Sequence, residues 1–328
     1  VVHDEVSPSA QPEALDTLVQ MRAVRSALES LRNSVACVPF KSNLPQFRQS
    51  LLERPPVLVF NLVEAPLGSD RLALMVPAIL EALQIPFTGA DFAAMLRLAD
   101  KTLAKQWLSS HGVDTPACWR AGDSAAELAA TGSWIVKSVW EHASFGLGAG
   151  SVVATVAEMQ ALVVDNRLRH GGEWFGEQYI DGREFNVALL AGADGPQVLP
   201  LAEIVFEGLP PGAPRIVDYA AKWLPDSVEY ACTQRRFLDE DAEPELAASL
   251  RHAALRTWDA CGLRGYARVD FRVDAAGRPW VVDVNANPCI APDAGFAAAA
   301  AMAGMQYDGL IAAIIDPLLR QRTALKAG

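Results

Sequence analysis

Arg268-Val-Asp-Phe-Arg-Val-Asp-Ala-Ala-Gly-Arg-Pro-Trp-Val-Val-Asp-Val-Asn285 is the stretch on which the reading of this chain turns. Two alternating runs flank Asp274-Ala-Ala-Gly-Arg278, so the segment predicts an antiparallel hairpin with Ala276-Gly277 at its turn. Folded so, Val273 faces Trp280, Phe271 faces Val282, and Val269 faces Val284, which puts the apolar pairs on one face. On the other face Asp270 lies opposite Asp283 and Arg268 opposite Asn285. Carboxylates placed directly opposite one another repel and ordinarily weaken a sheet. One reading is that Arg268 and Arg272 neutralise them. The other is a hard divalent cation. Asp, Asp and Asn offer only oxygen, which suits Mg²⁺ with phosphate oxygens completing its shell, so a phosphate-bearing ligand is implied.

Working outward, Trp134-Ile-Val-Lys137 reads as an apolar strand ending in a lysine, where a buried cation needs an anion. The glycine-rich loop Trp140–Gly150 follows at once, and glycines let backbone N–H groups approach phosphates. The loop matches neither the P-loop pattern nor G-x-G-x-x-G, and a plain flexible connection reads the same residues. Glu177-Gln-Tyr-Ile-Asp-Gly-Arg-Glu184 predicts two extended segments about an Asp181-Gly182 hairpin or turn. Such a strand could present backbone groups to a purine edge, with Tyr179 and Ile180 packing its faces and Glu184 accepting from ribose hydroxyls. An ordinary amphipathic strand and turn is the alternative.

Elsewhere the pattern alternates strands and helices, as in an open α/β layer. Helices are expected at 13–31, with Leu15, Leu18, Val19, Arg22, Leu28 and Leu31 at helical spacing, and at 70–83, 92–111, 243–260 and most of 294–320. Val57–Val63 reads as a buried parallel strand, Ile85–Gly89 as a short strand and turn.

Length and charge bound the rest. At 328 residues the chain calls for two or three domains, and 51% apolar with 20% charged residues excludes a largely disordered polymer. Net charge is −11 with a pI near 5.0, which argues against a nucleic-acid backbone binder. The longest unbroken apolar run, Phe296–Ala303, has eight residues, far short of the roughly 20 of a membrane span. Five scattered cysteines, at 37, 118, 232, 261 and 289, fit a reducing cytosol and show no zinc spacing. The sequence opens on Val1 rather than Met, so a trimmed start is expected.

In this order, the segments resemble the ATP-grasp superfamily and, within it, the D-alanine–D-alanine ligases. The likeness is carried by Ile85-Pro-Phe-Thr-Gly89, Asp100-Lys101, Ile135-Val-Lys137, Glu177-Gln-Tyr-Ile180, Gly182-Arg-Glu184, Asp218-Tyr-Ala-Ala-Lys222, Arg268-Val-Asp270 and Asp283-Val-Asn-Ala-Asn-Pro288. The resemblance implies an α/β fold of three parts, expected at 1–95, 96–182 and 183–328, with ATP between the central and C-terminal ones. It implies that a carboxylate is phosphorylated by ATP and that an amine attacks the acyl phosphate, releasing ADP and phosphate.

Carried residue by residue, Lys101 and Lys137 would hold the ATP phosphates. Glu177, Tyr179 and Ile180 would line the adenine pocket, and Glu184 would meet the ribose. Asp270, Asp283 and Asn285 would bind two Mg²⁺ ions. Arg268 would stabilise the tetrahedral oxyanion, and Lys222 would lie by the transferred phosphoryl group.

The departures lie on the amino-acid side. Asn61-Leu-Val-Glu64 replaces the family's His-Gly pair, and Ala143-Ser144, preceded by His142, stands for its serine pair. Trp223 replaces a tyrosine, Cys289 a glycine, and Ala294 the serine that meets the acceptor's carboxylate. Glu5 and Glu64 are both candidates for the amine-binding glutamate. Active nucleotide machinery with an altered pair of amino-acid-like substrates is therefore expected, in the cytoplasm, with no nucleic-acid or membrane partner. A genuine cell-wall D-alanine–D-alanine ligase and a silent nucleotide-binding regulator are the rivals. The oligomeric state stays open, a homodimer being one option.

Overall fold

Three sheets follow one another along the chain, each built from a consecutive block of sequence. In this computed structural model, residues 1–7, 12–41, 43–125, 128 and 132–327 are described. The first sheet is parallel, with β1 (Val2–Asp4) between β2 (Val38–Phe40) and β3 (Asn61–Leu62). Around it pack α1 (Pro12–Ser30), α2 (Leu44–Glu53) and α3 (Met75–Ala82).

Helix α1 forms where expected, yet it buries Thr17, Gln20, Val24, Ala27 and Leu28 while Leu15, Val19 and Leu31 face water. The buried set keeps a helical spacing of three and four, rotated from the leucine stripe, because α1 packs on the last helix (Tyr307–Ala327) and on the first sheet. The strand expected over Val57–Val63 shrinks to β3; Val59 adds an isolated parallel bridge to Phe87, which is all that forms of the strand at 85–89. The helix expected at 70–83 opens as a 3₁₀ turn at Asp70–Leu72 before α3.

The helix expected at 92–111 is two, α4 (Phe92–Ala99) and α5 (Lys101–Ser110). Asp100 divides them: its backbone is extended and its carboxylate accepts from the Thr102 and Leu103 amides, capping α5. The second sheet is antiparallel in the order β4 (Cys118–Arg120), β7 (Trp174–Gln178), β5 (Trp134–Ser138), β6 (Val152–Val153), and is backed by α6 (Val156–His170).

The third sheet holds β8 (Arg183–Gly192), β9 (Gly195–Val198), β10 (Ala202–Phe206), β11 (Thr233–Phe237), β12 (Tyr266–Val273) and β13 (Pro279–Asn285). Asp181-Gly182 is thus a passage between sheets rather than a hairpin, since β7 pairs with β4 and β5 while β8 pairs with β9, β10 and β12. Gly182 is needed there because a Cβ would run into the Val273 carbonyl. Short helices α7 (Tyr219–Trp223) and α8 (Val228–Cys232) precede β11, and α9 (Pro244–Cys261) precedes β12.

The β12–β13 register agrees with the sequence for the inner half, where Arg268 pairs Asn285, Val269 pairs Val284 and Asp270 pairs Asp283. It then shifts by one: Phe271 faces Val281 and Val273 faces Pro279, across a bulge that leaves Val282 unpaired. The bulge sends Val281 into the core, where it is 1% exposed.

Phe185, Val187 and Leu189 of β8, with Val269 and Phe271 of β12, pack beneath α4, α5 and α9. The opposite face buries Ala188, Leu190 and Tyr266 against α1, α10 (Gly295–Met302) and α11 (Tyr307–Ala327). Farther along that face the residues turn polar, with Asn186, Arg268, Asp270 and Arg272, and there the site begins. Among the described residues no single helix is long and apolar enough to cross a membrane. α10 and α11 pass such a test only as a pair bent by 98°, and both pack into the core.

Candidate active site

Glu177 anchors one side of the site. Its carboxylate is buried at the end of β7 and meets the ammonium of Lys137 at 2.7 Å and that of Lys105 at 2.5 Å. Burial alone would raise its pKa, but the two lysines outweigh that and lower it. Beyond the place expected for it in the adenine pocket, Glu177 is the anion that balances two lysines in the interior. Lys105 was missed, although it stands four residues after Lys101 and so shares its face of α5.

Lys101 opens α5 and is buried, its Nζ donating 2.7 Å to the Glu141 carbonyl at the base of the glycine-rich loop. Burial lowers its pKa, and the charges of Asp283 and Asp70 pull the other way.

Across the gap, Arg272 is a hub. It donates to the Ile180 carbonyl at 3.0 Å, to Glu184 at 2.9 Å, to the Arg215 carbonyl at 2.8 Å and to the Tyr179 hydroxyl at 3.2 Å. Burial raises the pKa of Glu184 against the pull of Arg272. Arg272 therefore does not neutralise the facing aspartates; it fixes the segment 179–184.

Arg268 does hold Asp270, in a two-pronged pair at 2.7 and 2.8 Å, and Asn186 adds a third bond at 2.9 Å. Burial works against the guanidinium's charge, yet Asp270 and then Asp283 raise its pKa. Asp283 has no arginine. The Val284 amide donates to one oxygen at 3.0 Å, and His142 stands 3.8 Å from the other. Burial would raise its pKa, but His142, Lys101 and Lys137 hold it well below the usual carboxylate range. Asn285 accepts from the Asn287 amide at 3.1 Å.

Asp270, Asp283 and Asn285 thus share one face as an oxygen-only donor set, and that chemistry fits a hard divalent cation. Among the described residues no three His, Cys, Asp or Glu side chains form a ready-made metal cluster.

The glycine-rich loop folds over this region. Ala143 and Ser144 both take left-handed backbone, at φ of 55° and 61°, which bends the loop back. Ser144 donates to the Val217 carbonyl at 2.8 Å, and the Trp223 indole to the Ala143 carbonyl at 3.1 Å. Trp223 thereby ties α7 to the loop.

Below lies a cleft of about 1170 Å³, walled by residues of the first and third sheets and by the loop. Glu5 reaches it exposed, 3.3 Å from Lys41. Glu64 is more enclosed, and its carboxylate accepts from the Gln20 amide at 3.1 Å. Loss of solvation pushes its pKa up to about 7, with Gln20 and Lys222 opposing and Asp4 adding. Lys222 is open to the water of the cleft, yet protein surrounds it closely enough that desolvation, and then Arg268, lower its pKa. Cys289 donates to Asp16 at 3.2 Å, and burial pushes its thiol up. Ala294 precedes α10 and offers that helix no side-chain cap.

The residues picked from the sequence thus fall into two groups. Lys101, Lys137, Glu177, Glu184, Asp270 and Asp283 form one electrostatic cluster between the second and third sheets. Glu5, Glu64, Lys222, Trp223, Cys289 and Ala294 line the cleft, and Arg268 and Asn285 border it too.

Residues 125–316 match the family model described as D-ala D-ala ligase C-terminus. The chain is 31% identical over 315 residues to a D-alanine–D-alanine ligase of Gloeobacter violaceus, covering 95% of this chain and 97% of that protein. Among solved structures it is similar to the D-alanine–D-alanine ligase of Bacillus anthracis, with a TM-score of 0.73 at 22% identity over 99% of this chain and 98% of that one. The same enzyme complexed with ATP gives a TM-score of 0.70 at 20% identity, again over 99% and 98% of the two chains. The VanG D-Ala:D-Ser ligase of Enterococcus faecalis also gives 0.70, at 17% identity over 97% and 98%. The fold, the ordered motifs and the match over most of the sequence agree: the chain belongs to the D-alanine–D-alanine ligase family, and is an ATP-grasp ligase that joins a carboxylate to an amine.

Proposed function

We propose that this ligase activates one substrate carboxylate with ATP and couples it to an amine, on amino-acid-like substrates other than two D-alanines. The observation that carries the substrate reading is the start of α10, where Ala294 presents no hydroxyl to the cleft. Glu64 and Trp223 support it, placing a carboxylate and an indole on the same walls. The VanG D-Ala:D-Ser ligase shows that this fold also serves a pair other than two D-alanines.

ATP would lie between the second and third sheets, with Lys137 and Lys101 toward its phosphates. Asp270, Asp283 and Asn285 would hold Mg²⁺, which supplies charge neutralisation at the transferring phosphoryl group. The lysines and His142 around Asp283 hold its pKa below the usual carboxylate range, which favours the charged form that a cation needs. A substrate carboxylate oxygen attacks the γ-phosphorus as the bond to ADP breaks, and Lys222 faces that end of the cleft. The amine then attacks the acyl carbon. Its oxygen takes the negative charge beside Arg268, whose guanidinium is already fixed by Asp270 and needs no reorganisation. The carbonyl re-forms as phosphate leaves, and Glu64, poised near neutrality, suits the proton that the amine sheds. The parts 1–95, 96–182 and 183–328 are proposed as the functional units, each around one sheet.

The test is ADP release. D-Alanine alone should give a kcat/KM well below about 10⁴ M⁻¹s⁻¹, whereas some other pair from a panel of amino acids and amines should exceed it. Full activity with D-alanine alone would make the chain a true D-alanine–D-alanine ligase, the reading that the names of its relatives favour.

A further inference from the structure

Asn186 is a residue that its strand does not call for. β8 runs through the middle of the third sheet, paired with β10 on one side and β12 on the other, and asparagine is disfavoured in such a strand. Ala188 and Leu190, which follow on the same face, are apolar and buried. Asn186 lies directly opposite Asp270, and its side-chain amide donates to Oδ1 of that carboxylate at 2.9 Å.

The two oxygens of Asp270 are therefore held unequally. Oδ1 accepts from Asn186 and also from Nε of Arg268 at 2.7 Å. Among the described residues Oδ2 accepts from Nη2 of Arg268 alone, at 2.8 Å. An ionised carboxylate has about four acceptor positions, two on each oxygen. Oδ1 is filled, and the open position is on Oδ2. Arg268 by itself would treat the two oxygens alike, because its fork puts one N–H on each. Asn186 is what tells them apart.

The difference matters to a cation. Mg²⁺ demands a near-ideal octahedron, which the narrow bite of a chelating carboxylate fits poorly. Ca²⁺ takes about 6–8 oxygens in looser geometry and accepts a carboxylate through one oxygen or both. A carboxylate with one oxygen filled binds through the other, and that suits the smaller ion.

We propose that Asn186 is a positioning residue that sets the cation preference of this site. By filling Oδ1 it leaves Asp270 to ligate through Oδ2, and so favours Mg²⁺ over Ca²⁺. This rests on the reading of Asp270, Asp283 and Asn285 as cation ligands and adds a residue that acts through one of them.

The experiment titrates Mg²⁺ and Ca²⁺ separately, by calorimetry, into the full chain loaded with a non-hydrolysable ATP analogue. The wild type, Asn186→Ala, Asn186→Val and Asn186→Gln are compared. Asn186→Ala should weaken Mg²⁺ binding about tenfold, as the loss of a group that orients a ligand commonly does, and change Ca²⁺ binding less than about threefold. Asn186→Val, a strand former without a donor, should do the same and carries the comparison should the alanine variant fail to fold. Asn186→Gln keeps an amide donor and should recover part of the preference.

A residue that merely supports the strand would weaken both ions together, so an equal loss overturns the proposal. A wild type that binds the two ions alike overturns it too, as does a preference kept within about twofold in both the alanine and valine variants. A wild type that binds no Mg²⁺ beside the analogue removes the cation site itself. No turnover is measured, so a preference that vanishes with Asn186 stands whichever amino-acid pair the enzyme joins.

Discussion

Asp283 shows how much a neighbour's charge alters the meaning of a residue. Read from the hairpin alone, it repels Asp270, and removing its charge should relieve the sheet. In the folded chain Arg268 and Asn186 have already taken Asp270, and Asp283 sits among Lys101, Lys137 and His142. Asp283→Asn should therefore cost about 1 kcal/mol of metal-free stability rather than add any, while lowering ADP release at least ~100-fold in saturating Mg²⁺. Chemical denaturation and steady-state kinetics on one preparation check both; turnover retained would remove Asp283 from the metal site.

Glu64 yields a prediction of the opposite sign. Its folded pKa of about 7 stands above the ordinary value of 4.5, so between those limits the folded chain binds a proton that the unfolded chain does not. Its contribution is fully present below pH 4.5 and is lost as pH rises through about 7. After allowance for water in the cleft this is about 1–2 kcal/mol. Glu64→Gln should accordingly be more stable than wild type at pH 8 by that amount and nearly equal to it at pH 4.5. Thermal unfolding across this range checks it, and parallel curves at both ends would show that Glu64 titrates normally.

At the scale of elements, the glycine-rich loop depends on one close approach. Gly146 has φ of +67°, and a Cβ there would run into the Trp174 ring, which is buried beneath α6. Gly146→Ala should displace the loop that Ser144 and Trp223 hold over the site. The expected result is a stability loss of about 1–3 kcal/mol and a raised KM for ATP. An unchanged KM would mean that the loop takes no part in nucleotide binding. The elements also show where local pattern gives way. The hairpin is legible because its apolar and polar residues alternate, yet the bulge at Val282 is not, since alternation tolerates either partner for Phe271 until the core below selects Val281. The break at Asp100 was in the sequence as an ordinary helix-capping residue, hidden by apolar spacing that runs on through both helices.

For the molecule as a whole, the proposed nucleotide site lies between two sheets that share no strand, so ligand and cation should tie them together. ATP with Mg²⁺ at a hundredfold excess over Kd should raise the unfolding free energy by about 2.7 kcal/mol. Chelating the metal should remove most of that gain. A Tm that rises equally with ATP in EDTA would mean that the nucleotide binds without the cation. Helix packing on both faces of the third sheet is what brings the cleft residues within reach of this site, although they come from positions as far apart as Glu5 and Ala294.

By itself the sequence determined the family, through the order of its motifs, and the polar face of the 268–285 hairpin. These are short-range matters: side-chain period, turn residues and the order of motifs along the chain. Only the tertiary structure decided which charges neutralise one another. Lys105 reaches Glu177, and Arg272 turns away from the aspartates to hold Ile180 and Glu184. An ion pair depends on a separation of a few ångströms between residues that can be far apart in sequence, 72 positions in the case of Lys105 and Glu177. No local pattern encodes that distance.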